Sequence, residues 1–220
     1  MKAVQFDQYG GPEVLSVMNI GEVHAGPGRI RIAVRAAGAN AIDWKIRAGM
    51  LKDEMPVKFP SGTGRDAAGV VDEVGDGVND VVVGDEVFGI GINTFAEFAV
   101  LTSWGKKPAD LSFEEAAGYP VAVETAIRIL DEVGVQPNQT LLVSGASGGV
   151  GSAVVQIAKQ RGITVVATAS ARNLDYLRSL GATATTYGDG LVGRVRALAP
   201  GGVDAALDIA GSGVIPELIE

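Results

Sequence analysis

"LLVSGASGGVGSAVVQIAKQRGITVVATASARN", residues 141–173, sets five glycines inside an apolar alternation. Four of them fall between Ser144 and Ser152. The stretch reads as a strand running to Gly145, a tight corner, a helix beginning near Val150, and a second strand ending Val166, Ala167, Thr168, Ala169, Ser170. In the frame G-x-G-x-x-G, Ala146 takes the first position, Gly148 the second and Gly151 the third. Shifting by one residue gives Gly145, Gly148 and Gly151 instead. Each place has a physical job: a small residue for the sharp turn, a missing Cβ so that backbone can approach a pyrophosphate, and another for close packing of helix on strand. The helix adds unpaired N–H groups and the positive end of its dipole. A glycine-rich turn alone is equally an ordinary loop; its place between strand and helix gives it meaning. Ala146, Ser147, Gly148, Gly149 and Val150 are therefore expected to bind the phosphates of a dinucleotide.

The end of the second strand bears on which dinucleotide. A sheet that selects NAD places Asp or Glu there, to hydrogen-bond the ribose 2′-hydroxyl and repel a 2′-phosphate. Here Ser170 and, two residues on, Arg172 stand instead. A hydroxyl and a guanidinium suit a 2′-phosphate, which Arg binds through charge-assisted bonds. The expected cofactor is NADPH rather than NADH. Arg172 read alone is also compatible with a solvated charge at a helix start.

Outward from this corner, the chain after residue 112 alternates. "SFEEAAGYPVAVETAIRILDEVG" carries Ser112 as a helix cap and an apolar helical stripe, so a helix or helix pair marks the boundary. Then come strand "TLLVSG", the corner and its helix, strand "ITVVATAS", helix "NLDYLRSLG", strand "ATATTY", helix "GLVGRVRALAP", strand "VDAALDIAG" and a helix start "VIPELIE". Short strands spaced by helices require parallel crossovers, hence a doubly wound α/β sheet. Its ligands bind beyond the carboxyl ends of the strands. The first half has a different rhythm: "KAVQFD", "RIRIAVRAAGAN", "AAGVVDEVG", "DEVFGI" and "FAEFAVL" are β-rich runs punctuated by Gly, Pro, Asn and Asp. They predict a compact barrel or sandwich. The expected division is residues 1–122 and 123–220.

Composition narrows the functions. The 220 residues are 47% hydrophobic and 20% charged, with a formal charge of −8, which argues against nucleic acid and anionic membrane surfaces. Small molecules are the expected partners. No cysteine is present, so neither a disulfide framework nor a thiolate metal site is available. The one histidine, His24, sits in the turn-rich "EVHAGPGR" and reads as a surface residue. Asp43 and Asp66 without a nitrogen or sulfur partner make a poor zinc site. No metal is expected. The opening "MKAVQFDQYGGPEVL" lacks the apolar core of a signal peptide, and no apolar run of membrane-spanning length occurs, so the cytoplasm is the expected compartment.

The ordered series "MKAVQFDQYGGPEVL", "VRAAGANAIDWKIRAG" (34–49), "GRDAAGVVDEVGDGV" (64–78), "VGDEVFGI" (83–90), "TFAEFAVL" (94–101) and "VSGASGGVGSAVVQIAKQRG" (143–162) resembles the zinc-independent branch of the medium-chain dehydrogenase/reductase superfamily. Within it, the match is to proteins of the NADPH:quinone oxidoreductase kind. The resemblance covers essentially the whole chain. It implies a GroES-like β-rich catalytic domain joined to a Rossmann NADPH-binding domain, with substrate and nicotinamide in the cleft between them. Family members continue past Glu220 with the last Rossmann strands and the segment that completes the catalytic domain. The C-terminal part of the family fold is therefore expected to be absent, from a fragment or a truncated form, and the full-length protein is expected to be a homodimer.

Hydride from a dihydronicotinamide needs an electron-poor carbon, and in a chain without thiolate ligands that carbon is best activated by conjugation to a carbonyl. Quinones and α,β-unsaturated ketones or aldehydes fit, with the protein positioning the reactants, excluding water and hydrogen-bonding the developing enolate. The resemblance implies that "ANAIDWKIRAG" lines the cleft, with Asn40 beside the nicotinamide. Lys45 stands where many quinone reductases have Tyr, and either donates to a carbonyl, binds an acidic substrate, or is a lysine without a role. Asp43 and Arg47 are expected to pair within the loop. Thr125 and Ala210 match positions near the nicotinamide, and Tyr187 one near the adenosine phosphate. Alternatives to a quinone or enone reductase are an enoyl-thioester reductase, a non-catalytic NADPH-binding sensor or structural protein, and a domain that only binds a partner.

Overall fold

The computed structural model describes residues 1–214 and Pro216. It divides into two compact units, Met1–Val121 and Ala122–Glu220.

The amino-terminal unit is built on strands β1 (Lys2–Phe6), β2 (Ser16–Asn19), β3 (Ile30–Gly38), β4 (Ser61–Gly62), β5 (Asp66–Val74), β6 (Glu86–Ile92) and β7 (Phe98–Lys106). β3, β5, β6 and β7 close an antiparallel barrel, and β1 lies between β2 and β4 in a small sheet. Of the two expected forms, the barrel is the one adopted. Ile30, Ile32, Val71, Val87, Ala99 and Leu101 fill it, each on the inward side of the strand alternation. β7 starts at Phe98, three residues later than the run "FAEFAVL" suggests, and extends through the polar "TSWGK" to Lys106, where it pairs with β6.

One local expectation is corrected. "ANAIDWKIRAG" is not a loop: Ala41–Arg47 form helix α1, with Asn40 as its N-cap. The Asn40 N–H donates to Oδ2 of Asp43 at 2.7 Å, the reach-back of a first-turn carboxylate that satisfies a helix end. Asp43 therefore does not pair with Arg47, whose Nε donates to the Gly10 carbonyl at 3.3 Å. Helix α2 (Phe113–Ala116) follows the barrel, capped by Ser112, whose hydroxyl accepts from the Glu115 N–H.

The carboxy-terminal unit follows from helix α3 (Pro120–Val133) with β8 (Thr140–Ser144), α4 (Gly149–Gln160), β9 (Thr164–Ala169), α5 (Leu174–Ser179), β10 (Thr183–Thr186), α6 (Leu191–Leu198) and β11 (Ala205–Asp208). The strands are parallel in the order β10-β9-β8-β11. Alternation sorts the side chains onto two faces. Leu141, Val143, Val165 and Ala167 pack with Val154, Val155, Leu177 and Leu130. Leu142 and Val166 pack with Leu191 and Val195 of α6. The chain leaves β8 toward β9 and β10, then crosses back to β11 on the other flank of β8. The order thus reverses between β8 and β11, the place where such sheets bind ligands. The helix expected over residues 214–220 lies almost wholly outside the described residues. Among the described residues, no helix is long and apolar enough to cross a membrane.

Candidate functional site

The corner after β8 is held by two glycines that the fold itself requires. Gly145 has φ +74°, in the left-handed region, and a Cβ there would approach the Ala210 backbone nitrogen at 2.8 Å. A Cβ on Gly151 would run into the Gly145 carbonyl and the Ala146 backbone. Gly148 and Gly149 are different. Gly148 is the extended N-cap of α4, where a Cβ would meet nothing nearer than 3.5 Å, and at Gly149 it would meet nothing within 4 Å. These two glycines keep open a space that the protein does not fill. Because Ser152 is the first helical residue to donate inward, to the Gly148 carbonyl, the N–H groups of Gly149, Val150 and Gly151 are the unpaired ones of α4. Ala146 contributes shape alone. Its methyl is buried in the core, and its N–H is committed to the Thr168 carbonyl at 3.2 Å.

The end of β9 completes this corner. Ser147 Oγ accepts from Asn173 Nδ2 at 3.1 Å, tying the glycine turn to the loop after β9. Thr168 Oγ1 and Ser170 Oγ are buried without a hydrogen-bond partner among the described residues, an arrangement that costs free energy unless a ligand or water answers it. The Arg172 side chain is exposed. Asn173 and Thr168 were missed from the sequence as site residues; the signal available was two more polar residues in the segment that carries Ser170 and Arg172.

Past β10, Tyr187 is 58% exposed. Its segment is fixed by Arg194, which donates to the carbonyls of Asp189 at 2.7 Å, Thr186 at 3.0 Å and Gly188 at 3.1 Å. Ala210 is exposed after β11. There Asp208 accepts from the Ser212 hydroxyl and the Gly213 N–H. Burial opposes the Asp208 charge, but these donors, with Ser144 and the Val214 N–H, hold its carboxyl below the usual range. Thr125 lies half-buried on α3. Gly148, Gly149, Val150, Ser147 and Ser170 are thus gathered at one end of the sheet, beside Ala146.

In the amino-terminal unit, Asn40 is bound on two sides. Its N–H goes to Asp43, and its Nδ2 donates to Oδ2 of Asp66 at 2.9 Å. Oδ1 of Asp66 accepts the Val121 N–H at 3.0 Å. Asp66 is 1% exposed, and burial pushes its carboxyl from 3.8 up to about 6, against the pull of Asn40, Val121 and Arg65 and with a further push from Asp43. Asp43 is raised by burial too, opposed by the Asn40 N–H and the Arg65 charge. Lys45 is half-buried in the last turn of α1.

A zinc ion does not fit these donors. The chain has no cysteine, His24 contacts Glu73 at 3.1 Å on an exposed surface, and Asp43 and Asp66 are already satisfied by N–H donors beside the cationic Arg65. Among the described residues, no group of three His, Cys, Asp or Glu side chains could hold a metal.

Residues 26–107 match the alcohol dehydrogenase GroES-like domain family, and residues 149–218 the zinc-binding dehydrogenase family. The solved quinone oxidoreductase of Coxiella burnetii is 36% identical, with a TM-score of 0.79 over 97% of this chain and 70% of its own. The chain belongs to the medium-chain dehydrogenase/reductase superfamily. Within that superfamily it is similar to quinone oxidoreductases. Two Arabidopsis thaliana relatives agree: a chloroplast envelope quinone oxidoreductase homolog, 38% identical over 83% of this chain, and a chloroplastic NADPH-dependent alkenal/one oxidoreductase, 37% identical over 83%. The chain spans 59% of the first and 51% of the second. Its two units are the superfamily's pair of folds, a GroES-like barrel and a Rossmann sheet.

Proposed function

We propose that this chain is the binding framework of a reductase that transfers hydride from NADPH to a quinone or an α,β-unsaturated carbonyl. The observation that carries the reading is the pair Gly148 and Gly149: two glycines that neither backbone strain nor packing demands, at the unpaired N–H end of α4. Space and donors together suit a pyrophosphate. The buried hydroxyls of Thr168 and Ser170, which lack a protein partner, support the same corner, and the exposed Arg172 suits a 2′-phosphate.

In this reading Ser147, Gly148, Gly149 and Val150 hold the phosphates, with Ala146 shaping the turn. Ser170 and Arg172 hold the 2′-phosphate, Tyr187 lies along the adenosine end, and Thr125 and Ala210 serve the nicotinamide end. Bound there, NADPH supplies a hydride that, with one proton from water, reduces a quinone to a hydroquinone or an enone to its saturated carbonyl and leaves NADP⁺. Asn40 and Lys45 are assigned to the acceptor. Asp66 orients the Asn40 amide by taking its Nδ2, so that amide is set before a substrate arrives. Lys45 donates to the acceptor carbonyl. The partner is a small molecule, with neither nucleic acid nor membrane; the compartment is the cytoplasm, and the full-length protein is a homodimer.

The test is a titration with NADPH and NADH, followed by NADPH oxidation with 9,10-phenanthrenequinone and an alkenal. Binding with turnover is the expected result. Binding without turnover of any quinone or enone makes the protein a sensor, and no binding of either nucleotide overturns the reading.

A further inference from the structure

Beside the Asn40 cluster the amino-terminal unit holds a cavity of about 460 Å³, within the size of a small-ligand site. Its lining is two-natured. Ile46, Met55 and Val57 give it apolar walls, while Arg65, Lys58 and Thr63 bring donors to it. Arg65 is half-buried, yet its guanidinium makes no ion pair within 4 Å among the described residues, in contrast to Arg31, which holds Asp72 at 2.9 Å. Thr63 is 9% exposed, lines the cavity, and its hydroxyl has no protein partner among the described residues.

Two acids also line this space. Asp43 is occupied as acceptor of the Asn40 N–H, and Glu54 stands exposed to water. Neither quenches Arg65 by direct contact. Asp43 and Asp66 feel the charge of Arg65, but no carboxylate oxygen among the described residues lies within 4 Å of its guanidinium, so its N–H donors stay open to an anionic ligand. In a chain of net charge −8, Arg65 and Lys58 bring two cations to one cavity.

We propose that this cavity binds the carboxylate of an acidic hydride acceptor, an α,β-unsaturated keto acid. Arg65 and Lys58 are its counter-charges, the Thr63 hydroxyl is its donor, and the hydrocarbon lies against Ile46, Met55 and Val57. A planar fork meeting a carboxylate gives both charge and direction. The inference deepens the reductase reading and rests on it for the word acceptor; the anion site itself does not.

The experiment compares 3-benzoylacrylate with its methyl ester as acceptors for NADPH, reading the ratio of kcat/KM for acid over ester. A second arm titrates the non-reducible 3-benzoylpropionate by calorimetry. The protein is expected to prefer the acid by about tenfold or more, and Arg65→Met to abolish that preference. Arg65→Lys should restore part of it, and Lys58→Met, at an exposed position, should weaken it without endangering the fold. If acid and ester are reduced equally by the protein and by Lys58→Met, the anion site is wrong while the reductase stands. If neither is reduced, the reductase reading falls and calorimetry decides: saturable binding of 3-benzoylpropionate lost in Arg65→Met and weakened in Lys58→Met upholds the site, and no binding ends it.

Discussion

The side-chain amide of Asn40 donates to a carboxylate, Oδ2 of Asp66 at 2.9 Å, that is almost wholly removed from water. Burial raises the Asp66 carboxyl from 3.8 to about 6 even though Asn40 and Val121 stabilise its charge. The folded state thus holds this proton more tightly than the unfolded chain does. The stability from this group is fully present below pH about 4 and is lost as pH rises through 6, a change on the order of 3 kcal/mol. Asp66→Asn keeps an acceptor for Val121 and removes the titration. Denaturant unfolding from pH 4 to 7 should show a smaller fall in stability for the variant than for the parent; identical slopes would mean that Asp66 is not the group responsible.

The two classes of glycine at the α4 corner predict opposite outcomes. Gly149→Ala adds a methyl where nothing lies within 4 Å, and in a helix it should hold or raise stability, by about 0.5–1 kcal/mol. The same methyl takes up the space that the proposed reading gives to a phosphate, so NADPH affinity should fall by about tenfold or more. Gly151→Ala meets backbone at Gly145 and Ala146, neither of which can yield easily, and should destabilise by roughly 1–3 kcal/mol. Thermal melts beside nucleotide titrations separate the two, and parallel losses in both variants would refute the distinction.

The corner and the sheet around it were legible because strand, turn and helix each write a local period into the chain. That Gly145 takes the left-handed position of the turn needed backbone dihedrals, since either small residue suits a turn on paper. Helix α1 was hidden because "AIDWKIR" is short and its stop-start flanks look like a loop. Its nucleus is the bond from Asn40 to Asp43, a pair three residues apart that a capping search would have found. The Asp66 contact to Asn40 joins residues 26 apart in the chain, which no local pattern encodes. Arg194 was equally invisible, since its role lies in reaching back to carbonyls that precede its own helix.

Arg194 gives a prediction of that kind. Its donors close the segment that carries Tyr187, and its Nε is buried without a partner. Arg194→Met leaves the four carbonyls of Thr186, Tyr187, Gly188 and Asp189 without these donors and should cost roughly 1–3 kcal/mol. Amide exchange should accelerate across residues 187–190, and NADPH should bind more weakly because Tyr187 loses its fixed place. Unchanged exchange there would show that the loop holds itself.

Arg172 tests the choice of nucleotide. It is exposed, so removing it should leave stability within about 0.5 kcal/mol. Its expected contact is to the one group that NADPH has and NADH lacks, a phosphate. A charge-assisted bond of that sort contributes roughly 1.5–3 kcal/mol, which is tenfold or more in affinity. Arg172→Ala should therefore weaken NADPH by that factor and leave NADH nearly alone, narrowing the gap between them. Because the guanidinium is exposed to water, the gap in the parent protein should also narrow as salt rises and the Debye length shortens. Equal losses for the two nucleotides would move the 2′-phosphate away from Arg172. Discrimination that survives both the substitution and high salt would place it on Ser170, whose buried hydroxyl is screened from the solvent that weakens an arginine at the rim.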